Sequence, residues 1–493
     1  MVIRRPLYPG YHLSIARLTE KLAMKIEKNA LFSRLPPEWP EDLVSRISAQ
    51  VKTSTIKIVV LDDDPTGTQT VRDVTVLTCW DENSLRNVLN ESDAIVYILT
   101  NTRSVALSEA QAINREIARR LKQAHRSTGR SFSVISRSDS TLRGHFPGEV
   151  EALVEELGEV TDGILVIPFF EEGGRFTINN VHYVAEGEML FPAGETDYAQ
   201  DATFGYHSSD LRKWVCEKYQ GKIIVGDVGT ISLDTIRRGG PDAVASSLYH
   251  LEKSKVCVVN AASYRDLEVF VAGLLQAERA GKHFISRTAA SFVRVRGGLR
   301  SYPLLSRTEI DIVDRKVGGL VIAGSHVRKS SEQIEAVQFL PGIVSLEVLV
   351  TELLDEPNRR TEVRRIRRQA DQALVEGSDV LVYTSRQLVT GPTAGASLEI
   401  SRSVSNALAE IVQGLQARPS WIIAKGGITA SDIATKGLQT KWARVMGQIL
   451  PGVPVWRLGT ECRWPGMIYV VFPGNVGGPD SIVEIVQHFR ERG

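Results

Sequence analysis

Ser138-Asp139-Ser140-Thr141-Leu142-Arg143-Gly144 follows a short apolar run, Phe132 to Ile135. An earlier segment repeats the arrangement, with Ile58 to Leu61 leading into Asp62-Asp63-Asp64-Pro65-Thr66-Gly67-Thr68. Both apolar runs have the length of a buried strand, and both turn polar, acidic and hydroxyl-rich before a glycine closes the turn. Ligands of open α/β sheets bind outside the carboxyl ends of strands, so two such loops predict one crevice for a polyol or an anion. An arginine fork suits a carboxylate, and carboxylates with hydroxyls suit sugar alcohol groups. The expected ligand is small, polar and acidic.

Outward from these loops the chain alternates short β-branched runs with helical segments. Strands are predicted at Ile56–Leu61, Ala94–Leu99, Phe132–Ile135, Gly163–Ile167, Lys222–Val225 and Lys255–Val259. One helix carries Ile113, Ile117 and Leu121 and is expected to be capped by Ser108; another starts near Pro147 and carries Val150, Leu153, Val154 and Leu157. A second block is predicted with strands at Leu320–Ala323, Ile343–Val350, Asp379–Tyr383, Trp421–Ala424 and Met467–Phe472. Alternation of this kind implies sheets that are largely parallel and covered by helices. The fold class expected is therefore α/β, with two α/β domains, an interdomain cleft and a helical N-terminal extension. The boundaries read as an extension at 1–54, a first domain at 55–295, a polar linker at 296–317 and a second domain at 318–493. The extension rests on Ile15, Leu18, Leu22 and Ile26 at helical spacing, interrupted by Leu35-Pro36-Pro37-Glu38-Trp39-Pro40.

Composition excludes several classes. Across 493 residues, 59 Lys and Arg balance 58 Asp and Glu, leaving no global field to draw the chain onto nucleic acid or a membrane. Cys79, Cys216, Cys257 and Cys462 contain no Cys-x-x-Cys pair, which argues against a disulfide framework or structural zinc and for a reducing compartment. No run approaches the roughly 20 apolar residues that span a bilayer, and charged residues interrupt the N-terminus before a secretory core can form. A soluble, cytoplasmic protein is expected. The arginines at 359, 360, 364, 365, 367 and 368 flank an apolar stripe of Val363, Ile366, Ala370 and Leu374, so they read as a solvated helix face rather than a nucleic-acid site. His145, His182, His207 and His326 lack metal-ligand spacing, and no protein-only metal site is assigned.

In the triple aspartate, Asp63 or Asp64 reads either as a grip or general base for a substrate hydroxyl, or as a turn cap. Asp139 and Arg143 read either as an ion pair holding the loop or as ligands for a hydroxyl and a carboxylate. A third polar loop, Glu171-Glu172-Gly173-Gly174-Arg175-Phe176-Thr177, follows the strand ending at Ile167 and adds Arg175 as a carboxylate candidate. Three polar loops after three strands favour binding. In the second block, Gly324-Ser325-His326, Lys425-Gly426-Gly427-Ile428-Thr429 and Pro473-Gly474-Asn475-Val476-Gly477-Gly478 also follow strands. Glycine turns and helix starts present backbone amides to phosphates, although none of these is a Gly-x-x-x-x-Gly-Lys-Ser/Thr or Gly-x-Gly-x-x-Gly motif.

From about residue 56 onward the chain resembles the four-carbon acid sugar kinases, long catalogued as a domain family of unknown function. The resemblance rests on Asp63-Asp64-Pro65-Thr66-Gly67, Asp139-Ser140-Thr141-Leu142-Arg143-Gly144 and Gly174-Arg175-Phe176-Thr177. It extends to the segment from Asp197 to Asp201, to Gly324-Ser325 with Gln333, and to Gly426-Gly427-Ile428-Thr429. It implies an N-terminal domain that binds the acid sugar and a C-terminal domain that binds ATP with Mg²⁺, with transfer across the cleft. Carried onto this chain, it assigns Asp63, Asp64, Arg143 and Arg175, with Asp139, to the substrate site. Asp63 or Asp64 would orient or deprotonate the hydroxyl. Ser325, Gly426, Gly427, Thr429 and Gly474 would hold nucleotide, with Lys425, Ile428 and Asn475 of the same loops as further candidates. The family usually has aspartate where this chain has Ile428 and often lysine where it has Phe472; Lys425 is the expected substitute cation. A homodimer is expected from base rates and the resemblance. Two other readings stay open: a sugar-acid-binding protein with a degenerate nucleotide site, and a different enzyme using another phosphate-bearing cofactor.

Overall fold

The computed structural model describes residues 25–158, 161–312, 314, 316–325, 328–387, 389, 391–392, 394–474 and 476–491. The apolar runs of the first block become strands Lys57–Asp62, Ile95–Leu99, Phe132–Arg137, Gly163–Ile167 and Lys255–Val259. With Gly229–Ile231, Phe284–Thr288 and Val74–Leu77 they pair entirely in parallel. Lys57–Asp62 is buried at every position, as a strand covered on both faces must be. The helix Leu107–Thr128 buries Ile117 and Leu121 and ends at Gly129, whose φ of 70° is the left-handed cap that glycine adopts without strain. Its N-cap is Ala106, one turn position before Ser108 could serve, so the expected serine cap is not formed. The second predicted helix runs Gly148–Leu157, with Pro147 just ahead of it.

Lys222–Val225 is not a strand. The Asp227 carboxylate accepts the Ile224 amide at 3.2 Å and turns the chain into a short 3-10 segment, Val225–Asp227, leaving Gly229–Ile231 as the edge strand. The second block forms strands Leu320–Ala323, Ile343–Val348, Asp379–Thr384, Ile422–Lys425 and Ile468–Phe472, also parallel to one another. Val350 lies instead in a 3-10 turn, Val350–Leu354.

The molecule consists of two α/β domains whose sheets are joined. Val74–Leu77 pairs antiparallel with Trp442–Leu450, which pairs with Val453–Leu458 and so reaches Ile468–Phe472. Among the described residues the strands thus make one mixed sheet of fifteen and a separate antiparallel sheet of four. The smaller sheet comprises Ile26–Glu27, Met189–Pro192, Val181–Glu186 and Arg175–Ile178. Ahead of the first domain, helices Lys28–Phe32 and Val44–Thr53 form the described part of the N-terminal region, the second burying Ile47 and Val51. Ile26 sits in a strand, while Ile15, Leu18 and Leu22 fall outside the described residues. The polar segment after Arg296 is not slack: Leu305, Ile310 and Ile312 bury into the core of the second domain. Among the described residues no helix is long and apolar enough to cross a membrane.

Candidate active site

The strand Lys57–Asp62 delivers three carboxylates to one sheet edge, and each meets a different environment. Asp62 is buried and accepts Arg137 Nη1 at 3.0 Å. Burial pushes its pKa up to about 7 against the pull of Arg137. Its carboxylate occupies the space a side chain at Gly67 would need. Asp63 is also buried; it accepts Arg103 Nη2 at 3.1 Å and the Ser138 hydroxyl, with Arg137 at 3.9 Å and Arg287 at 4.0 Å. Asp64 keeps an open edge, with 15% of its side chain exposed. One oxygen accepts the Thr66 amide at 2.9 Å and caps the 3-10 turn Pro65–Thr68, while the other lies 3.1 Å from Arg103 Nη2. Burial works to raise the pKa of Asp64, but Arg103 and Thr66 outweigh it and hold the group below the usual carboxylate range. Its carboxylate rests on the Cα of Gly427 so closely that a Cβ there would collide with it.

In the second loop Arg143 Nε donates to Asp139 at 2.6 Å, and Arg103 Nη1 stands 3.7 Å from the same oxygen. Burial opposes ionisation of Asp139, yet Arg143 and Arg103 win and keep it firmly deprotonated. Leu142, with φ 68°, holds a left-handed conformation that a branched residue adopts only at a cost of about 1–3 kcal/mol, just before Arg143. Arg143 lies over the Tyr198 ring at 5.2 Å and 3.7 Å from Asp201. Arg175, the first residue of its strand, also lies over that ring, 5.5 Å from the centroid. It is 8% exposed, its Nε is buried without a hydrogen-bond partner, and among the described residues it has no acidic partner. His182 ties the loops together: Nδ1 meets Thr177 Oγ1 at 3.0 Å and Nε2 meets the Ser140 carbonyl at 2.7 Å. Burial lowers its pKa to about 4, so the ring is neutral and donates to Ser140.

Across the cleft, Ser325, Gly426, Gly427, Ile428, Thr429 and Gly474 line one cavity of about 260 Å³. Its walls add Val350, Ile400 and Val404, with Thr384, Ser401 and Ser405 as polar contacts. Arg386 braces the rim by donating to the Ser325 carbonyl at 2.9 Å and to Thr384 Oγ1 at 3.0 Å. Asn475 lies outside the described residues. Lys425 does not line the cavity. Its ammonium is buried, donates to the Pro473 carbonyl at 2.6 Å and sits 4.0 Å over the Phe472 ring. Desolvation pushes its pKa down to about 6, so the substitute cation expected at this position is turned away from the cavity and largely neutral.

Sequence reasoning missed Arg103, Tyr198 and Arg386. The signal for the first was present: Asn101-Thr102-Arg103-Ser104 is another polar loop after a predicted strand, and Asn101 takes a left-handed φ of 52° there. Thr384-Ser385-Arg386 repeats the same pattern in the second domain.

Residues 58–296 match the model of a sugar-binding N-terminal domain, and residues 320–482 match that of a nucleotide-binding C-terminal domain. The chain belongs to the four-carbon acid sugar kinase family. Within this family a D-erythronate kinase of Heliobacterium modesticaldum is 25% identical over 275 residues, a match spanning 55% of this chain and 56% of that protein. A 3-oxo-tetronate kinase of Pseudomonas fluorescens is 25% identical over 409 residues, covering 79% of this chain and 85% of the relative. A protein of Salmonella typhimurium LT2 described as a tRNA synthase has a similar fold, with TM-score 0.62 and 18% identity over 87% of this chain and 98% of its own. A Haemophilus influenzae protein from a domain family of unknown function follows at TM-score 0.57 and 19% identity, covering 88% and 100%. At such identities the two structures speak for the fold and for nothing finer.

Proposed function

We propose that this protein is an ATP-dependent kinase that phosphorylates a hydroxyl of a four-carbon sugar acid. The observation that carries the reading is the seat of the Asp64 carboxylate on Gly427, which brings the acid-bearing loop of one domain onto the glycine loop of the other. The names of the family relatives, D-erythronate kinase and 3-oxo-tetronate kinase, support the substrate class.

The residues divide the work by what their partners leave free. Arg143 is committed to Asp139 and Asp201, whereas Arg175 has no acid of its own, so Arg175 anchors the substrate carboxylate and Arg143 shapes the wall beside it. Asp63 is spent on Arg103 and Ser138; Asp64 is the carboxylate with an open edge toward the glycine loop. A carboxylate held below its usual range is a weak base, and phosphoryl transfer asks mainly for positioning and charge neutralisation. Asp64 therefore orients the attacking hydroxyl and receives its proton late. The cavity beneath Gly426–Thr429 fits a nucleotide, since glycine backbone there is open to close approach by phosphates. Among the described residues no three His, Cys, Asp or Glu side chains gather as a metal site, but Mg²⁺ carried in by the nucleotide is held mainly by the phosphates and water. When bound, Mg²⁺-ATP supplies the phosphoryl group and charge neutralisation.

The test is ADP release with Mg²⁺-ATP across a panel of four-carbon sugar acids. One acid should give turnover that drops by about 10²-fold or more in Asp64→Asn and whose KM rises in Arg175→Ala. No release with any acid, together with no nucleotide binding by calorimetry, would leave the binding-protein reading in its place.

A further inference from the structure

A nucleotide triphosphate brings several negative charges, yet among the described residues no Lys, Arg or His lines the cavity. Lys425 is turned into the Phe472–Pro473 corner, and Arg386 is engaged with Ser325 and Thr384. A cation held against the Asp64–Gly427 contact comes from the other side. Arg103 Nη2 lies 3.1 Å from both Asp63 and Asp64, and Asp64 is the group pressed onto Gly427. Among the described residues the remaining donors of this guanidinium are not spent: Nε is buried without a partner, and Nη1 stands 3.7 Å from Asp139, beyond hydrogen-bonding distance. An unpaired buried donor is costly, so phosphoryl oxygens arriving beside Asp64 would satisfy these N–H groups.

We propose that Arg103 is a catalytic residue that meets the transferred phosphoryl group, offered to the nucleotide by the opposite domain; this rests on the kinase reading above. In the step itself, the substrate hydroxyl oxygen bonds to the γ-phosphorus of ATP, and the bond from that phosphorus to the bridging oxygen breaks, leaving ADP. The hydroxyl proton goes to Asp64, and nothing is oxidised or reduced. Nε and Nη1 of Arg103 donate to the equatorial oxygens as their charge spreads, while Asp63 and Asp139 keep the guanidinium fixed. The aspartates thus hold in place the very cation that the neutral cavity lacks.

The test compares the full-length protein with Arg103→Ala and Arg103→Lys in turnover and in binding of ADP–aluminium fluoride, a mimic of the phosphoryl group in flight. Arg103→Ala should lose roughly 10²- to 10³-fold in kcat and a similar factor in affinity for the mimic, with KM for the acid and affinity for ADP changed by no more than about threefold. Should Arg103→Ala fail to fold, Arg103→Lys keeps a charge among the aspartates and carries the same comparison, recovering only part of both losses. A raised KM for the acid with kcat intact, or unchanged affinity for the mimic, would overturn the proposal and make Arg103 a substrate-binding or structural residue. A wild type that binds no nucleotide would remove the kinase reading and this proposal together. Normal wild-type turnover matched by Arg103→Ala would remove this proposal alone.

Discussion

Asp63 gives its oxygens to Arg103 and Ser138 inside the first domain, while Asp64, the next residue, reaches the glycine loop of the second. Successive side chains on extended backbone point to opposite sides, so a run of aspartates hands different work to each member. The residue types were legible in the sequence: acids and arginines gather after strands. Which carboxylate faces the cleft was not, because that depends on Arg103, 40 residues away, and on Gly427 in the other domain. Gly427→Ala should push Asp64 off its seat and cut kcat by an order of magnitude or more, leaving the melting temperature nearly unchanged; steady-state kinetics beside a thermal melt checks this. Lys425 allows a prediction in pH. Its folded pKa of about 6 lies below the ordinary lysine value of 10.5, so between those limits the unfolded chain holds a proton that the folded one lacks. Stability from this group therefore rises with pH, by about 1.4 kcal/mol per unit within that window. Urea denaturation at pH 7 and pH 9, two units apart, should show about twice that increment in the wild type and its loss in Lys425→Met.

At the scale of elements, the parallel strands were read well because buried β-branched runs bounded by polar turns leave few alternatives. The antiparallel strands Trp442–Leu450 and Val453–Leu458 were missed; the first alternates buried and half-buried positions, a weaker signal than a continuous apolar run. Lys222–Val225 looked like a strand only until Asp227 claimed its backbone. The small sheet, also unseen, matters to the site because His182 on Val181–Glu186 fastens the Ser138–Gly144 loop through Ser140. Removing that fastening in His182→Ala should raise KM for the sugar acid several-fold while nucleotide affinity, governed across the cleft, stays put. Isothermal titration with each ligand separately distinguishes the two. Equal loss for both ligands would mean that the hairpin supports the whole fold rather than one loop.

For the whole molecule, two α/β domains were expected and are found, and a polar segment was expected to link them. Leu305, Ile310 and Ile312 fasten that segment to the second domain, and one apolar cluster containing Val74, Val76, Ala443, Val445 and Trp456 runs through both halves. Hydrophobicity announces that such residues are buried, not which domain they will join. Calorimetry should accordingly record one cooperative unfolding transition, moved as a unit by saturating nucleotide; two separable transitions would show the halves to be independent. The seam between Val74–Leu77 and Trp442–Leu450 has a further consequence. Asp64 leads by a short run into the first of these strands, and the helical segment after Gly427 leads into the second. A change of twist at that one pairing would slide the acid along the glycine. The seam therefore acts as the gauge of the spacing between the acid-bearing loop and the glycine loop, because a paired strand joins the two halves there.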